Sequence, residues 1–187
     1  FLADPRLYRM FTGQLVDLHF RQIMDEGKIL IVNLAKGRLG EDSANVLGAL
    51  LVTTLGLAAF SRADTEESRR SDHIIVIDEF QSFATLSVAN IVSELRKYHV
   101  GLVLSHQHLF QLEPEVKHAV LGNVGILISF RLGPEDARMI AREFEPIFAP
   151  EDLVNLPNHD IYLKLMINGS PSRPFSATTL HPNGLPR

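Results

Sequence analysis

The chain has 187 residues, a net charge of −4 and no cysteine. A composition of 45% hydrophobic and 21% charged residues can bury a sizeable core, which excludes wholesale disorder. The absence of cysteine excludes a disulfide framework and a thiolate zinc site, and the lack of a cationic surplus excludes a protein that coats nucleic acid by bulk charge neutralisation.

In chain order, residues 1–17 form a lead-in without clear periodicity. Asp4, Arg6 and Arg9 interrupt the apolar run that a secretory leader needs. Leu18 to Glu26 reads as a short helix stopped by Gly27. Lys28 to Leu34 (KILIVNL) is an apolar run between turn residues, the pattern of a buried strand. Lys36 to Asp42 (KGRLGED) is a glycine-containing loop, with Ser43 placed to cap the next helix. That helix holds the uncharged run from Ala44 to Phe60. The run falls short of the roughly 20 apolar residues of a membrane span, contains Gly48, Thr53, Thr54 and Gly56, and reads as a buried helix, so no membrane segment is expected.

Ala63 to Asp72 (ADTEESRRSD) is an exposed charged loop. His73 to Ile77 (HIIVI) is a second buried strand. Val88 to Lys97 is helical, with Val88, Ile91, Val92 and Leu95 on one face. Gly101 to Ser105 is a third strand, Glu113 to Leu121 a helix and Gly125 to Leu132 a fourth strand. Gly133-Pro134 opens a helix running to about Phe144, with proline suited to its first turn. Asp160 to Ile167 and Arg173 to Leu180 flank Gly169-Ser170-Pro171 as a hairpin, and the tail from His181 is expected to fray. Apolar strands alternating with helices imply an α/β fold with a mostly parallel sheet covered by helices on both faces, closed by a C-terminal hairpin, in a single domain over 1–187.

The chemistry concentrates where strands end. His73–Ile77 runs into Asp78-Glu79, and ligands of open α/β sheets bind outside the carboxyl ends of strands. Successive strand residues face opposite sides, so one carboxylate can hold the water shell of Mg²⁺ while the other orients and deprotonates a water attacking a γ-phosphate. This is the Walker B pattern with a catalytic glutamate; the plainer alternative is a solvated acidic turn. The strand Gly101–Ser105 ends in Ser105-His106-Gln107, and a glutamine there can sense a phosphate by hydrogen bonding, or else be an exposed turn residue. His106 and His108 lack a third ligand of suitable spacing for a metal site. Arg96 and Lys97 suit a helix C-terminus by charge whatever else they do.

Taken together, Asp78-Glu79-Phe80-Gln81-Ser82-Phe83, Glu94-Leu95-Arg96-Lys97-Tyr98 and Ser105-His106-Gln107 resemble the conjugative coupling ATPases of type IV secretion systems, in the HerA/FtsK group of hexameric RecA-like DNA pumps. The resemblance extends to Leu34-Ala35-Lys36-Gly37-Arg38-Leu39-Gly40, Gly122-Asn123-Val124-Gly125, Phe130 to Ala137 and Arg173-Pro174-Phe175, nearly the whole chain. It implies ATP and Mg²⁺ as cofactors. Asp78 would be the Mg²⁺-associated aspartate, acting through water, and Glu79 the catalytic base. Gln107 would couple phosphate state to movement, and Arg96 would be the finger that reaches a neighbouring subunit's nucleotide. Arg131 would be a second cation at that interface. It implies DNA held in the pore of a homo-hexamer, relaxosome or secretion-channel partners, and a cytoplasmic location at the inner face of the membrane. It also implies parallel strands in the order 28–34, 73–77, 101–105, with 125–132 not paired to 101–105.

One departure is large. No Gly-x-x-x-x-Gly-Lys-Ser/Thr phosphate loop occurs in these residues. Lys36 to Ser43 lacks Gly-Lys-Ser and places Glu41 and Asp42 where a phosphate needs bare amides. The expectation is an incomplete nucleotide-binding core, inactive in isolation and part of a complete motor. The alternative is a non-catalytic RecA-like module that recognises relaxosome or channel proteins.

Overall fold

The computed structural model describes Tyr8, Thr12, residues 18–85, Val88, Ile91 and residues 93–180. The frayed tail and most of the lead-in expected from sequence lie outside these. Contacts divide the chain into two units, Phe1–Gln107 with Gln111–Val120, and His108–Phe110 with Leu121–Arg187.

In the first unit the expected helix near residue 20 forms as α1, Phe20–Asp25. The stretch 28–34, expected as a strand, has no strand pairing among the described residues, and Ile29 and Ile31 are 90% and 88% exposed. β-branched residues favour extended backbone, but a strand also needs a neighbour to complete its hydrogen bonds, and no described residue supplies one. The Lys36 loop contains a single helical turn, α2, Lys36–Leu39. The long apolar helix is α3, Glu41–Ser61, and its cap is Gly40 rather than Ser43. Gly40 lies at φ +82°, which glycine adopts without steric cost, and Glu41 and Asp42 then occupy the first turn, where carboxylates complement the helix dipole.

By length and composition alone, Glu41–Asp64 is long and apolar enough to cross a membrane. In the fold, one stripe of α3 is packed: Ala44, Leu47, Gly48, Val52, Gly56 and Ala59 are buried. Two glycines in that stripe serve as seats. A Cβ on Gly48 would lie 2.1 Å from the Phe83 ring, and one on Gly56 would lie 2.3 Å from the Ile91 side chain.

The central sheet element is a parallel pair, β1 (His73–Ile77) and β2 (Val100–Leu104), in register from His73 opposite Val100 to Ile77 opposite Leu104. Ile75, Ile77 and Val100 are buried, whereas Ile74 and Val76 are 66% and 69% exposed and Val103, opposite Val76, is 50% exposed. Val88, Ile91, Ser93 and Glu94 are helical, and that segment ends in a 3₁₀ turn, Leu95–Tyr98, slightly short of the all-α helix expected. α4, Pro114–Asn123, forms where a helix is expected.

The second unit is built on an antiparallel sheet of order β3 (Leu127–Ser129), β4 (Asp160–Lys164) and β7 (Phe175–Thr178), with the small hairpin β5 (Met166–Ile167) and β6 (Ser170–Pro171) beyond β4. The expected C-terminal hairpin is present as β4 and β7. β3 pairs with β4 and β2 pairs with β1, so 101–105 and 125–132 belong to separate ladders, as the resemblance implied. α5 (Pro134–Phe144) begins at proline and buries Asp136, Ala137, Ile140, Ala141 and Phe144. Phe148 stacks on Tyr162 at 3.7 Å between ring centroids, with Phe144 edge-on to both. α6 (Pro150–Val154) buries Leu153, whose carbonyl accepts from Leu132 N–H at 3.1 Å.

Gly48→Val is expected to destabilise the chain by about 1–3 kcal/mol, because the added atoms must displace the Phe83 ring. Gly37→Ala, where an added Cβ meets nothing within 4 Å, should be neutral or slightly stabilising. Thermal melts of the two variants against wild type check the contrast.

Candidate nucleotide-hydrolysis site

Alternation along β1 carries through its end: Asp78 is exposed and Glu79 half-buried. Glu79 then takes a left-handed conformation, φ +52° and ψ +46°, unusual for a residue with a side chain. Fully buried Phe80 fixes the bend from below, and the 3₁₀ turn Phe80–Ser82 follows. Ser82 N–H donates to Glu79 O, and Phe83 N–H donates to Phe80 O, each at 2.9 Å.

β2 supplies the other wall. Ser105 N–H donates to Ile77 O at 3.0 Å, and Phe80 N–H donates to Ser105 O at 2.9 Å, so the ladder continues beyond the strands and grips the acidic turn. Three side-chain contacts finish the site. The Ser105 hydroxyl donates to Asp78 Oδ1, Gln107 Nε2 donates to Glu79 Oε1, and Gln81 Nε2 donates to Glu79 Oε2. Lys36 Nζ donates to Ser82 Oγ at 2.7 Å, bringing the Lys36 loop onto the same turn.

Asp78, Glu79 and Gln107, chosen from the sequence, therefore meet. Ser105 and Gln81 complete the set. Sequence contained both, within the quoted motifs, but only their contacts reveal a role. Among the described residues no three or more His, Cys, Asp or Glu side chains gather into a metal cage, His106 and His108 included.

Arg96 makes no ion pair with either carboxylate. It is exposed on the turn Leu95–Tyr98, and its guanidinium has no hydrogen-bond or ion-pair partner among the described residues. The turn beneath it is tightly held. Arg62 is fully buried; its Nη1 donates to Tyr98 O at 2.8 Å, its Nη2 to Ser71 O at 2.6 Å and its Nε to Asp25 Oδ1 at 2.9 Å. Arg70 donates from Nη1 to Lys97 O at 2.7 Å and lies 5.6 Å from the centre of the Tyr98 ring. Burial, and secondarily the Arg62 charge, hold the nearby His73 imidazole below its ordinary pKa. Sequence has Arg70 inside the charged loop Ala63 to Asp72 and Arg62 just before it, and gave neither a role; a signal for either would have needed knowledge of which carbonyls lie nearby. Arg131 lies in the second unit, exposed after β3, with no side-chain partner among the described residues.

No family profile matches this sequence, and no curated protein matches it. Among solved structures, the chain is similar to B204, the DNA-packaging ATPase from Sulfolobus turreted icosahedral virus: 17% identity, TM-score 0.55, covering 93% of this chain and 76% of that one. It is also similar to the genome packaging NTPase B204 from Sulfolobus turreted icosahedral virus 2, in complex with ATP-gammaS (16% identity, TM-score 0.53) and with AMPPCP (17% identity, TM-score 0.51), each covering 83% of this chain and 70% of that one. At such identities the likeness is one of fold, and it assigns this chain a RecA-like α/β core.

Arg62→Ala should lower stability by about 3 kcal/mol, since it leaves two backbone acceptors, Ser71 O and Tyr98 O, and the Oδ1 of Asp25 without the donor they share. Arg62→Lys should recover only part, because a point ammonium cannot reproduce the fork. Amide hydrogen exchange should report the loss first at residues 97–99, over the turn that carries Arg96.

Proposed function

We propose that this chain is part of an ATP-driven, DNA-translocating motor, of the kind that couples conjugative DNA transfer or type IV secretion, working as a homo-hexameric ring at the cytoplasmic face of the membrane. The observation that carries the reading is the pair of adjacent carboxylates at the end of β1, each gripped by a donor from the end of the neighbouring parallel strand. The fold shared with DNA-packaging ATPases solved with ATP analogues supports it.

The residues present fit the acidic half of a magnesium–nucleotide site. Asp78 offers an exposed carboxylate at a strand's carboxyl end, with Ser105 fixing one oxygen and leaving the other open to a hydrated cation. Mg²⁺, when bound, neutralises phosphate charge. Glu79 is the general base: its carboxylate is aimed by the left-handed bend and accepts a proton from the attacking water. Gln107, bonded to Glu79, is placed to exchange that bond for one to a phosphate oxygen, which links nucleotide state to the loop after β2. Arg96, exposed and held on a clamped turn, acts on a neighbouring subunit's nucleotide, with Arg131 as a second interface cation. Relaxosome or channel proteins are the partners this role calls for.

The absence of a phosphate loop from these 187 residues favours one rival, a RecA-like module that binds channel or relaxosome proteins without hydrolysis. Turnover separates the two. The 187-residue chain alone should show no Glu79-dependent ATPase. In the protein that joins it to a phosphate loop, Glu79→Gln should keep ATP binding and lose about 10²-fold or more in turnover. A Glu79→Gln protein within a few-fold of wild type would exclude Glu79 as the base. Arg96→Ala should fold normally and lose roughly 10³-fold in turnover, and should recover activity when mixed in one ring with Glu79→Gln subunits. Failure to recover in rings shown to exchange subunits would exclude action across the interface.

A further inference from the structure

The Glu79 carboxylate is bracketed by two amides of different standing. Gln107 reaches Oε1 from an exposed loop. Gln81 reaches Oε2 from within the turn Phe80–Ser82, between a fully buried phenylalanine and a serine that accepts from Lys36. The acceptor oxygen of Gln81 is buried and meets no donor among the described residues. A primary amide that leaves its oxygen unmatched while turning its NH₂ toward a carboxylate is oriented by that carboxylate, because the flipped amide would set oxygen against oxygen. Unmatched buried polar groups are few in folded proteins, so the orientation of this one calls for an account.

We infer that Gln81 is a positioning residue for the Glu79 base. It pins Oε2 from inside the turn, while the Gln107 contact at Oε1 is the one that exchanges. The two oxygens then have separate duties: Oε1 is freed to accept the proton from water when Gln107 turns away, and Oε2 stays bound so that the carboxylate does not rotate. The bond to Gln81 is a statement about this chain; its effect on turnover rests on the motor reading above.

Two measurements test it. On the 187-residue chain, the side-chain NH₂ resonances of Gln81 should move, and exchange faster with water, in Glu79→Ala, yet stay in place in Gln107→Ala. Gln81 resonances identical in wild type and Glu79→Ala would overturn the contact and the inference with it. In the protein joined to its phosphate loop, Gln81→Ala should lower kcat about 10-fold while KM for ATP stays within about 2-fold, and the isosteric but like-charged Gln81→Glu should lower kcat further. The melting temperature of Gln81→Ala should match wild type, which separates positioning from a structural role. An unchanged kcat in Gln81→Ala, with Glu79→Gln inactive, would overturn the positioning role. A wild-type protein without Glu79-dependent turnover would instead overturn the motor reading, and the resonance experiment would still decide the Gln81 contact.

Discussion

The site depends on one residue's backbone. Ser105 donates its N–H to Ile77 and accepts from Phe80 N–H, so a single peptide neighbourhood ties the last residue of β1 to the first residue after the acidic pair. Asp78 and Glu79 are trapped between those two bonds. Their side chains cannot drift relative to β2 without breaking a ladder that is otherwise continuous from His73 onward. The Ser105 hydroxyl then takes Asp78 as its acceptor, so backbone and side chain of one residue hold both the frame and one of its carboxylates. Ile77 and Phe80, at the far ends of these bonds, are buried, and buried backbone groups are costly to leave unpaired.

α3 backs the arrangement at two points along its length. Near its start, Gly48 provides the space that Phe83 fills at the end of the acidic turn. Just past its end, Arg62 donates from each of its three guanidinium nitrogens to a group in a different stretch of chain, among them the carbonyl of Tyr98 in the turn that carries Arg96. A cation there also faces the negative end of the helix dipole. The bare glycine seats and the buried arginine thus do opposite things chemically, one by offering no side chain and the other by offering a forked one, and each sets the position of a turn.

The site is polar and held by short-range geometry, whereas much apolar surface in the first unit is open. Ile74, Val76 and Val103 form an uncovered row on one side of the β1–β2 pair, and Ile29 and Ile31 project from an unpaired stretch. Contiguous exposed apolar patches are uncommon in folded monomeric proteins and mark interaction surfaces. The hydrophobic driving force that made these segments look like core in the sequence is real, but the atoms that would satisfy it are not among those described.

Local pattern was enough for much of the fold. Alternation and apolar runs marked β1, β2 and the β4–β7 hairpin; a proline marked the start of α5; and Asp78, Glu79 and Gln107 were marked by their places at strand ends, while the adjacency of those strands was only what the resemblance implied. These signals are local because side-chain period and turn chemistry are properties of a few consecutive residues. Partnership is not local. Residues 28–34 had a strand's composition and no described strand beside them; Ser43 had a cap's chemistry and lost the position to Gly40, whose backbone could take φ +82°. Gln81, Ser105, Arg62 and Arg70 acquired their roles from carbonyls and carboxylates brought near by the fold. A hydrogen bond requires its two ends to meet within about 3 Å, and for residues far apart in the chain only tertiary structure settles which ends do.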